Sequence, residues 1–400
     1  MVNASYTTWI SERATQLGFA MAGVARAGKF PELLRQPEWL AQGYAGEMNY
    51  LSDARRSDPQ AALPGVQSVI VCALTYNTEH ARTHQALADR HDAWETGGPR
   101  GWISRYAWGD DYHDVLREKL QLLLKGLREL HPQPFEARIY ADTGPLHERV
   151  LAKHAGLGWL GKNTLLLNER IGSFFFLGAI LTTLDLPPTL GSSEVSPADR
   201  CGSCRKCIDA CPTEALVEAY VLDARKCISY LTIELRGSIP EPLREPMGYH
   251  IFGCDICQDV CPWNGRAPIT RAKEFQPRSF GRQSAARAAE KEFSPGEKNG
   301  AWPETLFWPR LEWLASLSQS DFSEMFRGSP IKRTKWQGLI RNVCLALGNS
   351  KLPRDSAAFE RIASVLRPLA ASADPVISES AQWAVSRIQA NAASPIVTQS

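Results

Sequence analysis

Three stretches in the first half of the chain, residues 66–74, 137–141 and 173–182, are continuously apolar over strand length. Such runs predict strands covered on both faces. Between them, Leu116, Leu120, Leu123, Leu127 and Leu130 recur at helical spacing, with Asp110 or Asp111 available as N-cap. The mixture predicts an α/β domain over residues 1–190. From residue 303 onward the pattern is helical. Trp336, Leu339, Ile340, Val343 and Leu347 share one face, Phe359, Ile362, Leu366 and Leu369 a second, and Val376, Trp383, Ala384 and Ile388 a third. Asp374 and Pro375 open the last helix as cap and first-turn residue. Stacked pairs of the HEAT type or an ordinary small bundle would each bury these stripes. Residues 186–199, rich in Pro, Gly and Ser, read as a linker, and a second polar linker runs from about residue 265 to 303.

The chain has 400 residues, 44% of them hydrophobic and 12 of them Trp, which excludes a disordered chain and suggests two or three domains. No stretch approaches the ~20 apolar residues that cross a bilayer, and neither a basic leader nor a twin arginine precedes the first apolar run. A cytoplasmic protein with no membrane partner is expected. The formal charge of +2 names no partner. Its distribution is more informative: residues 326–367 hold nine Lys or Arg against only Asp355 and Glu360, and residues 266–291 hold seven against Glu274 and Glu290. Basic charge gathered toward one end steers a polyanion, although a solvated helix face has the same composition.

Ten cysteines in a long intracellular chain do not suggest a disulfide scaffold, because eight of them lie between Cys201 and Cys261. Cys201, Cys204, Cys207 and Cys211, followed by Pro212, form C-x2-C-x2-C-x3-C-P, the bacterial ferredoxin run for a 4Fe-4S cluster. Cys254, Cys257 and Cys261, followed by Pro262, repeat its second half, and Cys227 can replace the missing first ligand. In two-cluster ferredoxins the cysteine before proline serves the other cluster. One ligand set is therefore expected to be Cys201, Cys204, Cys207 and Cys261, the other Cys211, Cys227, Cys254 and Cys257. Zinc also favours paired C-x2-C, but does not require three cysteines at these spacings before a proline. Cys72 and Cys344 sit in apolar runs and read as core.

Gly156, Gly158 and Gly161 satisfy G-x-G-x-x-G, but they follow a helix rather than a strand, so a helix cap and turn is the better reading. Asp142 follows the strand at 138–141, and a strand end is where α/β folds place chemistry. Position alone nevertheless favours a helix cap there.

The motifs Tyr140–Pro145 (YADTGP), Arg105–His113 (RYAWGDDYH), Gly158–Asn163 (GWLGKN) and Ile171–Ser173, with the double cysteine run and Trp336–Asn342 (WQGLIRN), resemble the epoxyqueuosine reductase family over nearly the whole chain. The resemblance implies an α+β protein in four parts. Residues 1–190 would be a cobalamin-binding catalytic α/β domain, distantly similar to nitroreductases. Residues 191–268 would be a ferredoxin-like module with two 4Fe-4S clusters, 269–302 a basic linker, and 303–400 a HEAT-like helical domain gripping tRNA. It also implies cobalamin held near Arg56, Ser104, Asp142, Leu166, Asn168, Leu177, Ser229 and Asp255. The D-x-H-x-x-G signature of another cobalamin class is absent, since Asp111-Tyr-His113 lacks the glycine.

The implied reaction converts the epoxide of epoxyqueuosine at the wobble position of a GUN-anticodon tRNA into the alkene of queuosine. Asp142 would donate a proton, which calls for a raised carboxyl pKa. Lys332, Arg333, Lys335 and Arg341 would contact tRNA, so a chain ended near residue 303 should keep its cofactors and lose tRNA affinity. A monomer served by an external low-potential electron donor is expected. A cobalamin-dependent reductive dehalogenase and a plain iron–sulfur electron carrier are the alternatives. The missing leader speaks against the first, and the unused 190 residues against the second.

Overall fold

The structure, a computed structural model, describes residues 2–88, 98–190, 197–280, 304–350, 352 and 356–393. Packing divides the chain into two units: residues 1–79, 111–225 and 257–274 form the first, and residues 80–110, 226–256 and 275–400 the second. These are not the four consecutive stretches expected. Residues 80–110 join the helical unit, and residues 191–268 are shared between the two. Most of the expected linker, from residue 281, lies outside the described residues. Its first part is structured: Ser279–Phe280 pairs antiparallel with Glu304–Thr305, and Arg278 reaches Asp110 at 2.7 Å.

The first unit is built on a four-stranded sheet in the order Met21–Arg26, Ser68–Thr75, Phe175–Thr182, Ala137–Tyr140. All three pairings are antiparallel, which corrects the α/β expectation for this region to an α+β arrangement. The apolar runs misled because a central antiparallel strand covered on both faces looks like a parallel one in sequence. Seven of the eight residues of Phe175–Thr182 are buried, the exception being Leu177. One face of the sheet packs on Leu151, Ala152 and Ala155, while Leu116 and Leu120 of helix Tyr112–Leu130 lie against Gly178. Asp111 caps that helix through a bond from the His113 backbone. Helix Glu148–His154 ends at Ala155, and Gly156 follows in the left-handed region at φ 82°. The turn then leads into the short hairpin Trp159–Leu160 and Leu166–Leu167. The Gly-rich segment is thus a helix cap and turn.

The second unit gathers helices Leu311–Ala315, Gln319–Met325, Lys335–Gly348, Ala357–Ala370 and Pro375–Ala393 around one core. Leu339, Ile340, Val343 and Leu347 are buried, as are Phe359, Ile362 and Leu366. On the last helix the buried stripe is Ile377, Ala381, Ala384 and Ile388, one position off the expected Val376. Asp374 caps it, accepting from the Val376 and Ile377 amides. The same core includes Trp102, Ile103, Trp108, Tyr249, Ile251 and Phe252. His250–Phe252 pairs in parallel with Trp102–Ile103. A chain ended at residue 303 would strip these residues of the helices they pack on, which overturns the expectation that such a truncation is benign.

Candidate functional site

Strand Ala137–Tyr140 runs antiparallel to Phe175–Thr182 at the sheet edge, and Asp142 follows two residues past its end. Asp142 caps no helix, because the next one begins at Glu148 behind His147. Its backbone lies in the left-handed region at φ 61°, a conformation that Asp tolerates better than most residues. The Asp142 amide donates to Glu148 Oε1 at 2.8 Å, and Arg56 Nη1 donates to the Leu146 carbonyl at 3.1 Å, so both ends of this loop are tied down.

Two side chains from the start of helix Tyr112–Leu130 meet the Asp142 carboxylate. Tyr112 Oη donates to Oδ2 at 2.7 Å, and His113 Nε2 lies 3.5 Å from the same oxygen. The other nitrogen, His113 Nδ1, is 2.6 Å from Asp111 Oδ1. The Tyr112 ring stacks on Phe176 at 4.4 Å and 3°. Burial lowers the His113 pKa, but the carboxylates of Asp111 and Asp142 outweigh it and push it up to about 9. Desolvation raises Asp142, and the His113 and Tyr112 hydrogen bonds overcome this and hold it below the usual carboxylate range. The raised Asp142 pKa expected for a proton donor is therefore not found: at neutral pH the proton of the pair sits on His113. Burial and the Asp142 charge push Glu148 up to about 8. Asp142 remains 62% exposed although desolvation is the largest influence on it. His113 and Tyr112 were missed as partners of Asp142, although Asp111-Tyr-His113 at a helix start was the available signal.

The expected cofactor-shell residues divide by what their side chains already do. Arg56 is half-buried, with Nε also on the Tyr50 carbonyl, and Leu177 is half-exposed at the same end of the sheet as Asp142. Ser229 is half-buried in helix Ile228–Ile233 of the second unit. Leu166 is core at 3% exposure. Asn168 spends its amide on the Leu157 carbonyl and its oxygen on the Arg170 and Ile171 amides. In the second unit Ser104 donates to Asp255, whose other oxygen accepts from the Trp102 indole and the Arg105 amide. Both are buried. These four side chains are taken up by the protein's own packing.

All ten cysteines are free. Cys201, Cys204, Cys207 and Cys261 come together in the first unit: burial raises the Cys207 thiol, with Cys261 and Cys201 adding to the effect. Cys261 is raised likewise, by burial first and then by Cys201 and Cys204. Cys211 and Cys257 belong to the first unit, Cys227 and Cys254 to the second. Cys72 and Cys344 are fully buried core residues, as expected. No group of three His, Cys, Asp or Glu suited to a single metal ion occurs among the described residues.

Of the four basic residues expected to meet tRNA, Lys332, Arg333 and Lys335 are exposed, with Arg333 paired to Glu234 at 3.0 Å. Arg341 is fully buried. It donates to the carbonyls of Leu231, Leu235 and Gly237 and to Asn342 Oδ1. Asn342 donates in turn to the Thr232 and Ile251 carbonyls at 2.8 Å. The Arg341 expectation is thereby corrected. Its guanidinium satisfies carbonyls at and beyond the end of helix Ile228–Ile233 and cannot reach a phosphate.

Residues 200–264 match the family described as 4Fe-4S double cluster binding domain, and residues 56–143 match Epoxyqueuosine reductase QueG, DUF1730. The first match makes the chain an iron–sulfur protein. Full-length relatives narrow this further. An epoxyqueuosine reductase of Pseudomonas aeruginosa is 35% identical over 385 residues, covering 94% of this chain and 93% of the relative. One of Gloeobacter violaceus is 42% identical over 346 residues, 85% of this chain and 95% of the relative. The chain belongs to the epoxyqueuosine reductase family. Among solved structures, an epoxyqueuosine reductase with a tRNA-Tyr epoxyqueuosine-modified tRNA stem loop superposes with a TM-score of 0.77 at 30% identity, covering 96% of this chain and 90% of that one. The Bacillus subtilis epoxyqueuosine reductase, whose aspartate-bearing catalytic loop is swung out of the active site, gives 0.75 at 29%, with 96% and 91% covered. No helix among the described residues is long and apolar enough to cross a membrane.

Proposed function

We propose that this protein reduces the epoxide of epoxyqueuosine in tRNA to the alkene of queuosine, and that Asp142 with His113 governs the protons of that reaction. The balance is one epoxide, two electrons and two protons giving one alkene and one water. Membership of the family carries the overall activity. The observation that carries the assignment of the site is the exposed Asp142 carboxylate, bonded to Tyr112 beside a protonated His113.

Cobalamin fits this end of the first unit. Leu177 is the partly exposed apolar position of an otherwise buried strand, and Arg56 binds the loop that carries Asp142. Arg56, Asp142 and Leu177 would meet the group with their side chains. When bound, cobalamin supplies reducing equivalents to the substrate as a strong nucleophile. The chain's own residues manage the proton. The proton stored on His113 passes from Nε2 to Asp142 Oδ2, 3.5 Å away, and from the carboxyl to the leaving oxygen, while Asp111 fixes the imidazole through Nδ1. Tyr112 keeps Oδ2 oriented.

Electrons reach the site through two 4Fe-4S clusters, one on Cys201, Cys204, Cys207 and Cys261 and one on Cys211, Cys227, Cys254 and Cys257, fed by an external low-potential donor. The first set is supported by the meeting of its thiols, the second by spacing. Lys332, Arg333 and Lys335 lie on the tRNA-facing surface in this reading, and the protein acts as a monomer in the cytoplasm.

The test is Asp142→Asn, assayed on epoxyqueuosine-containing tRNA under excess chemical reductant. Turnover should fall by roughly 10²-fold or more, the scale of lost general acid catalysis, with about eight irons per chain retained. Near-normal turnover would remove Asp142 from the proton path.

A further inference from the structure

The motif Gly158–Asn163 has no part in the proton chemistry, yet it is tightly built. Gly158 runs so close to the Leu167 carbonyl that any Cβ would collide with it, which presses the two strands of the hairpin together. Trp159 is 2% exposed and packs with Leu167 and Cys261, and Cys201 lies against the same cluster. Its indole meets Trp263 edge-on at 5.1 Å and 78°. Trp159 Nε1 is buried and completes no hydrogen bond within the protein. A buried indole N–H without an acceptor is costly and calls for a partner. The sulfur it faces is that of Cys201, which the Lys162 backbone N–H also faces. On the other side of the hairpin turn, Lys162 Nζ donates to the carbonyls of Gly202 and Cys204, the latter at 3.0 Å. One positive charge thus clamps the Cys201–Cys204 loop to the hairpin.

We infer that this hairpin is an electrostatic cradle for the first iron–sulfur cluster, in which the Trp159 indole and the Lys162 amide donate hydrogen bonds to the Cys201 sulfur and raise the cluster's reduction potential. The inference rests on the assignment of Cys201, Cys204, Cys207 and Cys261 as one ligand set. Taking up one electron adds one negative charge, spread over iron and sulfur. Donors aimed at a sulfur stabilise the reduced form more than the oxidised one, and hydrogen bonds to the sulfurs are among the factors that set cluster potentials. The Lys162 ammonium acts in the same direction. Trp159 is a positioning and tuning residue in this scheme and touches no substrate.

The experiment is a redox titration of the cluster-loaded full chain followed by electron paramagnetic resonance. In Trp159→Phe, which keeps an aromatic ring and removes the N–H, the reduced-to-oxidised ratio of one cluster at the wild-type midpoint should fall about tenfold, ~59 mV for a one-electron couple. The other cluster should not move, and Trp263→Phe should leave both in place. Electron–nuclear double resonance on the wild type needs no variant to fold. It should detect an exchangeable proton coupled to the reduced cluster, and that signal should be weaker when Trp159 is replaced by its benzothienyl analogue, in which sulfur stands for N–H. An unshifted potential in Trp159→Phe with full iron content overturns the inference, as does a wild-type cluster without exchangeable coupling. Wild-type protein that binds fewer than two clusters would instead refute the ligand assignment, so the two failures are separable.

Discussion

Replacing Arg341 with Met removes the guanidinium and keeps most of the apolar stem. The side chain is fully buried, and its donors serve three main-chain carbonyls, those of Leu231, Leu235 and Gly237. Leaving a buried acceptor without a donor costs about 1 kcal/mol at the lower end of the usual range, so three lost partners amount to roughly 3 kcal/mol. With a urea slope of ~2 kcal/mol/M, the unfolding midpoint should drop by about 1.5 M. The core of the same unit holds Trp102, Trp108 and Trp313, so tryptophan fluorescence reports the transition, and hydrogen exchange should show residues 231–237 opening first. An unchanged midpoint combined with a specific loss of tRNA affinity would refute the reasoning and return Arg341 to the nucleic-acid surface.

Two further outcomes are expected. His113 titrates near 9 in the folded protein against an ordinary 6.5, so its contribution to stability is complete below about 6.5 and is lost as pH rises through about 9. Turnover should decline over the same upper range, and His113→Gln should lower the plateau and abolish that limb, whereas an identical pH profile in the variant would exclude His113 from proton supply. Reversing Lys332 and Lys335 to Glu should weaken tRNA binding and flatten its salt dependence by up to about two units of slope, with melting unchanged, since both side chains are exposed. An unaltered salt slope would show that the basic charge there is only a solvated face.

The sequence was most legible where a short-range rule decides the outcome. Asp374 and Asp111 cap the helices they were expected to cap, and the cysteine spacing pointed to the double-cluster family. It was least legible where distant segments decide. Residues 80–110 carry no local sign that Trp102 and Trp108 pack with Leu311 and Leu314 rather than with the neighbouring sheet. Asp142 looked like a cap because Thr, Gly and Pro follow it, but a left-handed backbone and a loop reaching to His147 delay the helix. The His113 contact depends on helix Tyr112–Leu130 lying beside the strand end. Counting Arg341 as surface charge failed for a related reason: local charge tallies take no account of carbonyls contributed by residues more than 100 positions earlier.

The three-part make-up of the second unit also constrains how the protein is born. When residues 80–110 and 226–256 leave the ribosome, the helices that complete their core, from Leu311 to Ile388, have not been synthesised. At ~5–20 residues per second, the first segment waits about ten seconds or more for partners more than 200 residues downstream. Trp102, Trp108 and Phe252 must spend that interval exposed or shielded by a chaperone. Any stop codon or ribosomal stall before Leu311 therefore yields a nascent chain with an open aromatic core, prone to aggregation and to degradation. The production of active enzyme is thus tied to reading the gene through to its last helices.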